Sequence, residues 1–163
     1  MPADKVHVDE RLWATASKTR RHEWRVLCED LAKHPALLPG KTATAVVIGV
    51  DETHVEVTVL AARDAADGPA PERETLRRAR AALDAVLSEY LDVIRRLDDD
   101  GISSMRAEAL DMAKKVVHDD AAKRVAALYP ELAEDHEVRR RFFSLFVALA
   151  VDTTRLAHAH RHR

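Results

Sequence analysis

Residues 83–118 read LDAVLSEYLDVIRRLDDDGISSMRAEALDMAKKVVH, a stretch that carries two helices and the bend between them. Before the bend, Leu83, Leu87, Tyr90, Ile94 and Leu97 recur at steps of three and four, with Leu76 one period upstream, so they share one helix face. Asp98-Asp99-Asp100-Gly101 then supplies a turn, with glycine able to take the backbone that ends a helix. Ser103 can cap the next helix, whose apolar positions Leu110, Val117, Ala121, Val125 and Leu128 hold one side until Pro130. The two helices are expected to run antiparallel about Gly101.

Downstream, a further helix is expected from about Glu131 to about Leu156. Val138, Phe142, Leu145, Phe146 and Leu149 form its stripe, while Phe143, Val147 and Val151 make its middle apolar all round, which places it at the centre. Upstream, Thr19 to Lys33 sets Glu23, Leu27 and Leu31 at helical spacing until His34-Pro35 stops it. Strands are expected at Val6 to Asp9, Thr44 to Val50 and Val55 to Ala61, all rich in β-branched residues. Asp51-Glu52-Thr53-His54 joins the last two as a hairpin. Asp64 to Pro71, with Gly68, Pro69 and Pro71, is a loop.

The expected order is therefore β-α-β-β-α-α-α, a predominantly helical α+β fold with a three-stranded antiparallel sheet and four helices. One domain is expected over residues 1–157, with a solvated His/Arg-rich tail at 158–163. A chain of 163 residues, 47% apolar and 33% charged, has enough apolar side chain to offset ordering entropy and is neither disordered nor fibrous.

The longest strongly apolar run, Phe142 to Val151, is about half the ~20 residues that a membrane-spanning helix needs. The start of the chain carries no apolar signal region and Cys28 is the lone cysteine, so a cytoplasmic protein without an internal disulfide is expected. With 26 Lys and Arg against 28 Asp and Glu, no global field draws the chain to nucleic acid or anionic lipid. The Arg pairs at Arg20-Arg21 and Arg77-Arg78 and the run Arg139-Arg140-Arg141 lack interleaved aromatics for stacking bases and read as solvated helix faces.

Familiar motifs fail on their own geometry. Pro39-Gly40-Lys41-Thr42 resembles the end of a phosphate loop, but Pro35 stands where the first glycine belongs and a strand follows. His22-Glu23 meets Val26 where a zinc-protease helix needs its second histidine. Cys28, at the edge of a helix's apolar face, reads as a small hydrophobe.

Two polar constellations remain. Glu89 and Asp92 form an i, i+3 pair before the bend, and Glu108 and Asp111 form another after it. An antiparallel hairpin centred on Asp100 would bring the pairs level, where four carboxylates could hold magnesium for phosphate hydrolysis. Separately, Glu108, Asp111, Lys115 and His118 follow one another at steps of three, four and three along a polar flank, with His118 beside Asp119 and Asp120 and so expected to keep its proton more readily than a free imidazole.

Over residues 6–150 the chain resembles an uncharacterised bacterial family, number two-six-two in the uncharacterised-protein-family series. The blocks that carry the likeness are Val6 to Glu10, His22 to Leu31, Arg77-Arg78 with Tyr90, Asp92, Ile94 and Arg95, Glu108 to Met112 with His118, and Arg140 to Leu145. The chain departs from the family at Ala81 to Leu83, Ser88, Asp119-Asp120 and Ala150. The resemblance implies a bacterial cytosolic protein of this size and supplies no activity, ligand or partner.

The expectation is a non-enzymatic regulatory or adaptor protein that needs no cofactor, cannot enter a membrane and does not bind nucleic acid. It would dock a protein partner, or a second copy of itself, through Glu108, Asp111, Lys115 and His118 together with Arg21, Glu23 and Arg25. The alternative is a magnesium-dependent phosphohydrolase acting on a nucleotide-like substrate, with Glu89, Asp92, Glu108 and Asp111 as ligands.

Overall fold

Along the two central strands, buried Val46 and Ile48 and then Val55, Val57 and Val59 alternate with more open neighbours, the period a pleated strand needs when one face lies on a core. A computed structural model describes residues 5–41, 45–61, 73–99 and 104–156, the side chains at 97–99 and 104–107 excepted. Its elements are β1 (Lys5–Val8), α1 (Glu10–Thr15), α2 (Lys18–Ala32), β2 (Ala45–Val50), β3 (His54–Leu60), β4 (Arg73–Ala79), α3 (Ala81–Asp99), α4 (Ser104–Leu128) and α5 (His136–Ala150), followed by a short 3-10 turn at Thr153–Arg155. The α+β class and the helical majority are as expected. The sheet and the helix count are not: among the described residues there are four strands in the order β1-β2-β3-β4, with five α-helices.

The fourth strand is the larger correction. Leu76 is not the first turn of a helix but the one buried residue of β4, level with Val57 on β3. The segment Arg73 to Ala79 is too charged to read as a strand, yet charged side chains suit a sheet edge, where they discourage pairing with another chain. Arg77 and Arg78 accordingly point to opposite faces. Arg77 pairs with Asp51 at 3.2 Å and Glu56 at 3.0 Å, and Arg78 with Glu131 at 2.6 Å. The following helix begins at Ala81 instead, where Arg80 bonds Asp84 at 2.9 Å.

The sheet is also mixed. β1 runs parallel to β2, because the chain between them crosses over through α1 and α2, whereas β2 and β3 form the expected antiparallel hairpin. Asp51 closes that hairpin by accepting from the backbone N–H groups of Thr53 and His54 at 2.8 and 2.7 Å. α1 is a short helix not expected from the sequence, started by Asp9, whose carboxylate accepts from the Arg11 backbone N–H at 2.8 Å. Gly49 lets that carboxylate sit close: a Cβ there would lie 3.0 Å from Asp9 Cβ.

α5 is shorter than expected, starting only where Asp135 accepts from the N–H groups of Glu137 and Val138 and ending where Val151 turns extended. It is central, as its sequence demands, with every residue from Phe142 to Leu149 buried. α2 clasps it at both ends. Arg20 donates to the carbonyl of Ala148 at 3.0 Å while lying over the Trp24 ring, Trp24 Nε1 donates to the same carbonyl at 3.0 Å, and Arg141 donates to the carbonyl of Asp30 at 3.2 Å. Each arginine thus covers carbonyls that a helix end leaves open. Tyr129 pins the end of α4 to the sheet, its hydroxyl lying 2.9 Å from the carbonyls of both Val55 and Leu76.

α3 and α4 pack along each other. The bend at Gly101, the cap expected at Ser103, the loop at 64–71 and the tail at 158–163 lie outside the described residues. Among the described residues no helix is long and apolar enough to cross a membrane.

Candidate functional site

The register of the α3–α4 pair decides what becomes of the four carboxylates. Tyr90 on α3 stands against His118 on α4, with ring centroids 4.9 Å apart. In an antiparallel pair so aligned, Asp92 comes level with Val116, and Glu108 stands roughly 12 Å further along the axis at 1.5 Å per residue. The acids therefore do not converge as the spacing about Asp100 suggested. Glu89, Asp92, Glu108 and Asp111 are all exposed, Asp92 pairs with Arg96 at 3.0 Å, and among the described residues no three His, Cys, Asp or Glu side chains gather closely enough to hold a metal ion.

The flank on α4 divides as well. Glu108, Asp111 and Lys115 lie in the open, but His118 turns inward and is 4% exposed. It lies one residue from Val117 and three from Ala121, both buried, and the helical turn carries it into the same arc. Its ring sits edge-on between Tyr90 and Phe143 of α5, and neither ring nitrogen has a hydrogen-bond partner. Burial, with the positive charges of Arg140 and Lys114, lowers its pKa to about 4, although Asp119 and Glu137 pull the other way. This reverses the expectation that neighbouring acids would hold its proton. Asp119 instead meets His136 at 3.0 Å and Asp120 meets Arg124 at 3.2 Å.

Lys114, one turn before His118, is buried as well, at 6% exposed. On the opposite side of the same turns, Met112 and Val116 face solvent at 62% and 63%. On this stretch of α4 two large apolar side chains lie outward and two polar ones inward, exceptions to the ordinary pattern that exposed Glu108, Asp111 and Lys115 and buried Val117 keep. Met112 and Val116 were absent from the expected face, although their i, i+4 spacing against Lys114 and His118 was present in the sequence. Glu108, Asp111 and Lys115 border them.

The α2 residues do not join this face, because α2 and α4 each pack on α5, whose middle from Phe142 to Leu149 is buried. They are divided between other tasks. Arg21 donates to the carbonyls of Trp13 and Ala14 at 2.8 and 3.0 Å, Arg21 and Arg25 both lie over the Trp13 ring, and Glu23 accepts from the Thr153 hydroxyl. Cys28 is buried, and that burial pushes its thiol up to about 12, so it stays protonated at neutral pH. Lys41 of the phosphate-loop look-alike is held by Glu74 at 2.9 Å and precedes no helix.

A four-stranded mixed sheet carries its helical core on one face, with a buried histidine on the helix that exposes Met112 and Val116, which makes this a mostly helical α+β protein without an assembled metal set among its described residues. The sequence profile of the uncharacterised protein family UPF0262 matches residues 3–152, and the chain belongs to that family. No curated protein and no solved structure matches it.

Proposed function

We propose that this is a bacterial cytoplasmic regulatory or adaptor protein, non-enzymatic and without a cofactor, that docks a protein partner on the outer face of α4. The observation that carries this reading is a local exception on α4: Met112 and Val116 are exposed while Lys114 and His118 are buried. Solvent alone favours the opposite arrangement, and adjacent exposed apolar side chains with charged neighbours form the core and rim of a small protein interface. Since Glu108 and Asp111 outnumber Lys115 around them, the fitting partner is an amphipathic helix whose apolar stripe is bordered by basic residues.

A photo-crosslinking residue placed at Val116, with another at the exposed Glu52 of the β2–β3 turn as control, tests the face. The reading requires a partner captured from position 116 but not from position 52, and lost when Met112→Asp and Val116→Asp are introduced together. Equal capture from both positions overturns it, as does finding only a small molecule that the protein turns over.

A further inference from the structure

We infer that the outer face of the sheet, away from the helical core, is a binding site for a small ligand carrying several oxyanion groups. A cavity of about 890 Å³ opens there, walled on the β1 side by α1 and α2, and sites for nucleotide-sized or drug-sized molecules run to roughly 300–1,000 Å³.

The strand register lays out its chemistry. One cross-strand row runs Lys5, Ala45, Leu60, Arg73, and the next row on the same face runs His7, Val47, Thr58, Thr75. A third row brings Gly49 and Glu56 level with Arg77, with Asp9 seated against Gly49. The cavity therefore has a basic end at Lys5 and Arg73, a middle with His7 and two threonine hydroxyls 3.1 Å apart, and an acidic end at Asp9 and Glu56.

The acidic end is already neutralised. Glu56 is held by Arg77 at 3.0 Å, and Asp9 accepts from the backbone N–H of Arg11 at 2.8 Å and lies 3.4 Å from its guanidinium. The basic end is not: among the described residues no carboxylate lies within ion-pair distance of Lys5, Arg73 or Arg25, the last reaching in from the α2 wall over Trp13. Glu10 and Glu29 are the opposing carboxylates in the lining. Lys5 and Arg73 rise from opposite edges of a four-stranded sheet, roughly 14 Å apart at the backbone. Two long cationic side chains can therefore hold one polyanion from both ends, while His7 and the threonines hydrogen-bond its middle.

The test uses tripolyphosphate as the probe on the whole chain, followed through the His7 ring resonances by NMR and compared with sodium chloride at equal ionic strength. A saturable shift of His7 is expected. Lys5→Glu and Arg73→Glu should each weaken binding at least tenfold, and Arg96→Glu on α3 should leave it unchanged. Circular dichroism and thermal melting establish that each variant is folded. No saturable shift beyond that produced by salt, or equal affinity in Arg73→Glu and Arg96→Glu, overturns the site. The Met112→Asp, Val116→Asp double variant should keep this binding, so the site and the α4 docking face fail or stand separately.

Discussion

Replacing His118 with leucine tests the packing of the three-helix core most directly. At neutral pH the imidazole keeps one N–H and one lone pair, and it is 4% exposed with neither nitrogen bonded. A buried donor or acceptor left unsatisfied costs about 1–3 kcal/mol, whereas an apolar side chain of similar size removes the polar group and keeps its contacts with Tyr90 and Phe143. His118→Leu is therefore expected to stabilise the fold at pH 7 by about 1–3 kcal/mol.

The variant should also change how stability depends on pH. The folded pKa of about 4 lies below the ordinary 6.5, so above the ordinary value both states are neutral and His118 contributes no slope. Between the two values the unfolded chain holds a proton that the folded chain refuses, and stability falls as pH falls by up to ~1.4 kcal/mol per pH unit. The full loss is on the order of 3 kcal/mol, complete once the pH is below the folded value. The leucine variant lacks this limb. Urea unfolding followed by circular dichroism, from about pH 7 to about pH 4.5, measures both effects. A stability difference between the two proteins that stays constant across that range would refute the reasoning, as would a leucine variant less stable at pH 7.

Tyr129→Phe should cost about 1–2 kcal/mol in the same assay, because the lost hydroxyl serves the buried carbonyls of Val55 and Leu76. Gly49→Ala should cost about 1–3 kcal/mol through its 3.0 Å approach to Asp9 Cβ, and clearly less in an Asp9→Gly background, which removes that atom, a coupling that a double-mutant cycle reads out. Arg20→Lys should destabilise by about 1–2 kcal/mol despite keeping the charge, since one ammonium cannot reproduce the planar fork that lies over Trp24 and caps the α5 carbonyls. Thermal melting would show the last as a lowered midpoint.

The parts of the fold legible in the sequence were those where one period dominates. Phe142 to Leu149 is buried on every side, as an apolar run broken only by Ser144 requires, and the β-branched strands flanking Asp51 form their hairpin. β4 escaped notice because Arg73 to Ala79 contains a single core residue, and its strand conformation comes from pairing with β3 rather than from its own composition. α1 is too short for any periodicity and depends on the carboxylate of Asp9. Of the expected face, Glu108, Asp111 and Lys115 stayed in solvent while Arg21, Glu23 and Arg25 were taken up by contacts with α1 and Thr153.

By itself, the sequence determined the longer helices, the β2–β3 hairpin and the apolar faces they bury, since local propensity and apolar spacing act within one element. The tertiary structure alone decided how far α3 slides along α4, and hence that Glu89 and Asp92 do not meet Glu108 and Asp111. It also decided that His118 faces Tyr90 and Phe143 instead of Asp119 and Asp120. Interhelical register and helix rotation follow from how side chains on separate elements interlock, and no pattern within a single element encodes them.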